Sequence, residues 1–193
     1  VKEYQMSRTV FILGAGASRE GGGPLMGDFV EIAEALYQNN EAADYTEDFK
    51  KVFDARQALI AVHMKAVLDV DNIESLLGAF EMAQLLGPLG ILEPKTLEGL
   101  PRATRRIINA TLCHRIQYRA DESGQRVLPP TPYDRFAETV AEINSSNNAR
   151  VSIMTFNYDL AVDYSFHFYS LPFDYCLDGG TGKNAIPLRW VRN

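Results

Sequence analysis

Cysteine is scarce in this chain. Only Cys113 and Cys176 occur, far apart and in no C-x-x-C pair, which excludes both a disulfide framework and a four-cysteine zinc site. Both read as half-buried free thiols. Histidine occurs three times, at His63, His114 and His167, and none is followed by glycine. Each reads as a packed or exposed histidine. Positive charge is also in deficit: 19 Lys and Arg against 25 Asp and Glu leave a net charge of −6, which argues against a nucleic-acid surface carried by this segment. No uninterrupted apolar run approaches the roughly 18 residues of a membrane span, and the start Val1-Lys2-Glu3-Tyr4-Gln5 is not a signal peptide. The expectation is a cytoplasmic protein with no membrane contact.

What is present is an ordinary globular composition. With 193 residues, 46% hydrophobic and 23% charged, the chain can build one substantial core, or one domain with a lobe inserted in it. The stretch around which it is organised begins with the apolar run Val10-Phe11-Ile12-Leu13. Consecutive apolar residues of this kind suit a strand buried on both faces, as in a parallel sheet covered by helices. The run breaks into Gly14-Ala15-Gly16-Ala17-Ser18, then Gly21-Gly22-Gly23-Pro24, then an amphipathic segment. Strand, glycine turn and helix in that order form a device for a nucleotide phosphate, because glycine lets a diphosphate approach backbone N–H groups near a helix N-terminus. A bare βα turn is the plain alternative. An ordinary dehydrogenase is disfavoured, since Arg19 stands where the third glycine would be and no acid ends a second strand about 20 residues on.

Helical spacing follows. Phe29, Ile32, Ala33, Leu36 and Tyr37 predict a helix packing on the sheet with its N-terminus toward the ligand. Thr46 to Leu68 predicts a second, and Asp71-Asn72-Ile73-Glu74 resembles a capping box opening a third that Gly87-Pro88 stops. Thr96 to about Tyr118 predicts a fourth, with Arg102, Arg105 and Arg106 on a solvated face. Asp121 to Pro132 reads as a loop, and a helix resumes through Tyr133, Phe136, Val140 and Ile143.

A second buried strand, Val151 to Phe156, runs into Asn157-Tyr158-Asp159 and a helical segment carrying Leu160, Val162, Tyr164 and Phe168. Short strand-like pieces are expected near Asp174 to Leu177 and Ile186 to Val191. This order fits an α/β fold: a Rossmann-like doubly wound parallel sheet with a helical lobe inserted over about residues 41–132. Ligands of such sheets sit at the carboxyl ends of the strands, so the Gly14 turn and the Asn157 turn should face one crevice. The plain alternative for Asn157 and Asp159 is a cap on the helix that follows. Gly179-Gly180-Thr181-Gly182-Lys183-Asn184 fails as a P-loop, because Asn184 stands where Ser or Thr is needed.

Together the two turns resemble the sirtuin-like family. Gly14-Ala15-Gly16-Ala17-Ser18, followed by Gly22-Gly23-Pro24, is similar to its G-A-G-x-S and G-x-P signature, and Thr155-Phe156-Asn157-Tyr158-Asp159 to its T-x-N-x-D. Sirtuin deacylases continue past the proline with D-F-R and carry two C-x-x-C zinc pairs; here Leu25-Met26-Gly27 follows Pro24, and no such pairs occur. The chain therefore looks like the bacterial anti-phage branch, NAD hydrolases in which cofactor depletion is the effect.

The resemblance implies NAD as substrate and no zinc. It implies a catalytic Asn157 that orients water and ribose. Gly14, Ala15, Gly16, Ala17, Ser18 and Pro24 would sit at the cofactor, Ser18 and the glycine backbone holding the diphosphate. Tyr158 and Asp159 would join them, Asp159 accepting from the nicotinamide amide. It also implies homo-oligomers or a sensor partner: an Argonaute-like protein, an ATPase or a phage-protein-binding region. The family's second catalytic residue, a histidine before glycine, is expected beyond Asn193. The rival expectations are a module that senses NAD or ADP-ribose without cleaving it, and an NAD-dependent deacylase.

Overall fold

The computed structural model describes residues 9–61, 68–87, 92–147, 151–173 and 175. In chain order these form β1 (Thr9–Leu13), a 3-10 turn (Ala15–Ser18), α1 (Phe29–Gln38), a second 3-10 turn (Ala43–Tyr45), α2 (Thr46–Ile60) and α3 (Ile73–Leu86). There follow α4 (Pro94–Leu97), α5 (Leu100–Arg115), β2 (Arg119–Ala120), β3 (Val127–Leu128), α6 (Thr131–Asn147), β4 (Val151–Thr155) and α7 (Ala161–Phe168). The molecule is mixed α/β and mainly helical. The strand-like piece near residues 186–191, the glycine run at 179–184, His63 and Cys176 lie outside the described residues; of the piece near 174–177 only Tyr175 is described.

The two apolar runs pair with each other. β1 and β4 are parallel and in register from Thr9 opposite Val151 to Leu13 opposite Thr155, so the two chemically marked turns leave the sheet side by side. The coverage of the pair differs from expectation. Phe11 packs edge-on against Phe136 of α6, their centroids 5.0 Å apart, and Val151 and Ile153 join Ala137, Val140 and Phe166 in a small core. On the opposite face Val10, Ile12 and Met154 are more than half exposed. Among the described residues the sheet is covered on one side only, and burial alternates along β1 as the pleat dictates. An apolar run alone cannot distinguish one covered face from two.

A larger core lies in the helical block. Phe49, Leu59, Leu76, Phe80, Leu100 and Ile107 are fully enclosed there, each burial stabilising by about 1.5–3 kcal/mol. The first helix belongs to this block. Phe29, Val30, Ala33 and Leu36 of α1 bury against α2 and α5, so the expectation that α1 packs on the sheet is corrected. It is α6 and α7 that pack on the strands. Nor does α1 continue directly from the glycine turn, because Arg19 to Asp28 intervene and Asp28 accepts from both Arg19 and the Leu25 N–H.

Other local expectations meet the structure with informative differences. Asn72 caps α3, its Oδ1 accepting the N–H groups of Glu74 and Ser75 at 2.9 and 3.0 Å. Gly99, at φ 75°, separates α4 from α5 where one helix is expected. The basic face of α5 ties helices together: Arg105 pairs with Glu81, and Arg106 pairs with Asp48 at 2.7 Å while lying over the Tyr45 ring. The segment expected as a loop from Asp121 opens within a hairpin, because Asp121 Oδ1 accepts from the Ser123 hydroxyl and the Gln125 N–H and so closes a turn between β2 and β3. Cys113 is exposed rather than half-buried, and its thiol is pushed up by desolvation.

Candidate active site

At the carboxyl ends of β1 and β4 the two turns meet through their side chains. Ser18, buried at the end of the first turn, accepts a hydrogen bond from Asn157 Nδ2 at 3.0 Å and donates its own proton to Asp159 Oδ2 at 2.6 Å. Tyr133, near the start of α6, lies 2.7 Å from the same Ser18 oxygen. A hydroxyl has one proton and two acceptor sites. With that proton directed to Asp159, Tyr133 must be the donor to Ser18, and the oxygen of Ser18 is saturated. Asn157 Nδ2 also approaches the Tyr133 hydroxyl at 3.4 Å.

This accounting fixes the Asn157 amide. Its NH₂ group faces the Ser18 and Tyr133 oxygens, so its carbonyl must face the other way. That carbonyl, Oδ1, is buried and has no partner among the described residues. An orphaned buried acceptor is uncommon and suits a donor brought from outside: a water, or a hydroxyl of a bound molecule.

The charges are arranged consistently. Tyr133 is pushed above the ordinary tyrosine range by burial first and by the Asp159 charge as well, although the Asn157 amide that approaches its oxygen pulls the other way. It therefore stays a protonated donor. Tyr118, half-buried, is raised further by desolvation and the same carboxylate. Asp159 also accepts the Ala161 N–H at 3.0 Å, so it helps to start α7 while holding Ser18. Asn157 takes no part in that cap. Tyr158 is exposed and turns away, its hydroxyl donating to Glu74 at the beginning of α3, 3.0 Å distant, which brings the helical block up to the strand end.

The glycines divide into two groups. Gly22 has φ 91°, and a Cβ there would stand 2.4 Å from the Arg115 carbonyl oxygen; one at Gly23 would stand 2.7 Å from the Ser18 side chain. These two serve the protein's own packing. Gly14 and Gly16 are different: a Cβ at either meets nothing within 4 Å, and neither has a positive φ. The backbone does not require glycine at these places, and the space beside each is open. Ala15 and Ala17 are half-buried between them, and Pro24 is buried behind.

Thus Gly14, Ala15, Gly16, Ala17, Ser18, Asn157 and Asp159 come together, while Tyr158 faces the helical block. The Ser18 hydroxyl is occupied by protein partners, so its place is at the centre of the network. Tyr133 is absent from the sequence-derived set. Its signal was a polar-tipped aromatic at the start of a helix preceded by Pro129 and Pro130, indistinguishable in pattern from a core position. Among the described residues no group of three or more His, Cys, Asp or Glu is placed to hold a metal ion, and no helix is long and apolar enough to cross a membrane. His114 lies 3.1 Å from Glu41, and His167 is on α7.

Compared with known proteins, the chain matches no protein-family model, no curated protein and no solved structure.

Proposed function

We propose that the chain binds NAD at the ends of β1 and β4 and hydrolyses it to nicotinamide and ADP-ribose. The observation that carries this reading is the Asn157 amide: its donor side is fixed by Ser18 and Tyr133, and its buried carbonyl has no partner among the described residues. The nicotinamide ring nitrogen is cationic while bonded to ribose, so the leaving group requires no acid. The bond from the anomeric carbon to that nitrogen breaks, its electron pair neutralises the ring, and a water oxygen bonds to the anomeric carbon and releases a proton to solvent. The protein has to position and to stabilise. A water donating to Asn157 Oδ1 would be held with a lone pair directed outward. The diphosphate would lie along the backbone at Gly14 and Gly16, where a side chain would obstruct it.

The resemblance of the two turns to the sirtuin-like anti-phage branch supports the same reading. Within it, NAD depletion is the biological effect, control comes from self-association or a sensing partner, and the paired strands form part of a Rossmann-like doubly wound sheet. The experiment is to incubate purified protein with NAD and follow nicotinamide by chromatography, alongside Asn157→Ala. Release by the wild type that the variant lacks is the expected result. Release equal in both overturns the reading, and saturable binding of intact NAD without release replaces hydrolysis by sensing.

A further inference from the structure

Apart from the Ser18 cluster, α7 carries a second set of residues that the reading above does not use. One side of this helix is buried on α6: Ser165 donates to the Tyr133 carbonyl at 2.7 Å, and the Phe166 ring stacks on Phe136. Tyr164, His167 and Phe168 are spaced three and four apart and share another side. They face the β2–β3 hairpin across a cavity of about 690 Å³, whose remaining wall includes Tyr118, Arg126 and Val127. That volume lies within the range of about 300–1,000 Å³ found for small-molecule sites.

The walls are held in place. The Tyr164 hydroxyl donates to the Val127 carbonyl at 2.8 Å, fastening hairpin to helix, and Tyr118 meets the Tyr164 ring edge to face with centroids 5.3 Å apart. Arg126 lies with its guanidinium carbon 5.0 Å from the Phe168 ring centroid. Its hairpin neighbour Arg119 is paired with Asp134, whereas among the described residues no carboxylate pairs with Arg126. Among the described residues this cation thus has no carboxylate partner, and it lies on an aromatic face in the wall of the cavity. Such a site suits a flat ring that packs on the aromatic walls and carries an anion for the guanidinium.

We propose that this cavity is a binding site for a nucleoside monophosphate, with the base among Tyr118, Tyr164 and Phe168 and the phosphate on Arg126. It shares no residue with the Ser18 hydrogen-bond network and does not rest on NAD cleavage. The probe is uridine 5′-monophosphate, chosen because an adenine nucleotide is half of NAD and would compete for the other site. Titration calorimetry on the full chain compares this probe with uridine, and the wild type with Arg126→Ala and Ser18→Ala. Arg126 is exposed, so its replacement leaves the fold intact. Losing a charge-assisted contact should weaken binding about tenfold or more, both for uridine and for the arginine variant. Ser18→Ala, which shares no hydrogen-bond partner with Arg126, should stay within about twofold. No binding at about 1 mM probe, equal binding of uridine, or binding kept in Arg126→Ala overturns the proposal. So does binding lost in Ser18→Ala, because that places the nucleotide at the strand ends.

Discussion

Ser18 and Asn157 stand 139 positions apart in sequence and share a hydrogen bond of 3.0 Å at the ends of two adjacent parallel strands. The serine is the hub of this contact. It accepts from Asn157 and Tyr133 and donates to Asp159, so four side chains from three separate segments depend on one oxygen.

The first prediction concerns that hub. Ser18→Ala deprives Asp159 and Tyr133 of their shared partner in a largely dry site and should lower stability by about 1–3 kcal/mol. Tyr133→Phe removes one donor and should cost less, about 0.5–1.5 kcal/mol. Urea unfolding followed by circular dichroism compares them; a costlier Tyr133→Phe would contradict the proton accounting.

Asn157→Asp tests the amide. The shape is kept, but an acceptor replaces the NH₂ group facing Ser18, whose proton is already directed to Asp159. Nicotinamide release should fall on the order of 100-fold or more, the scale seen when one positioned donor is lost. The measurement is release under saturating NAD, with the unfolding midpoint recorded on the same sample.

The two classes of glycine should separate stability from binding. Gly22→Ala places a methyl group against the Arg115 carbonyl at positive φ and should destabilise by more than about 1 kcal/mol. Gly16→Ala enters open space and should change stability by no more than about 0.5 kcal/mol, while weakening NAD binding. Thermal melts with and without NAD distinguish the two, and a strongly destabilised Gly16→Ala would remove the argument for a ligand beside that turn.

Alkaline pH should loosen the fold through the buried Tyr133 and the half-buried Tyr118. Tyr118 and Tyr133 are both raised, chiefly by burial, so the folded protein keeps phenolic protons that the unfolded chain releases above about pH 10. Their stabilisation is complete below that pH and is lost as pH rises through the folded values. Urea midpoints from pH 8 to pH 11 should decline beyond pH 10, with a shallower decline in Tyr118→Phe. A midpoint that is flat to pH 11 would show these phenols to be solvated.

Some of this was legible because it is written locally. The runs at Val10 and Val151, the cap at Asn72 and the helical spacing of Phe29, Ile32, Ala33 and Leu36 each follow from residues a few positions apart. The packing of α1 was not legible, since its apolar stripe fits a sheet or a helix bundle equally well. The hairpin at Asp121 was hidden because a loop composition also describes a turn closed by one carboxylate. Tyr133 was hidden for a related reason: pattern assigns the ring to a core and says nothing of where the hydroxyl points.

By itself the sequence determined the two paired strand runs, several of the helices and which residues stand at the strand ends, because backbone geometry and side-chain periodicity are properties of neighbours. The tertiary structure alone decided that, among the described residues, Val10 and Ile12 remain exposed, Tyr133 completes the Ser18 network and Asn157 presents an unpartnered carbonyl. Those are matters of which distant groups share a volume, and hydrogen-bond partners are assigned only once that volume is closed.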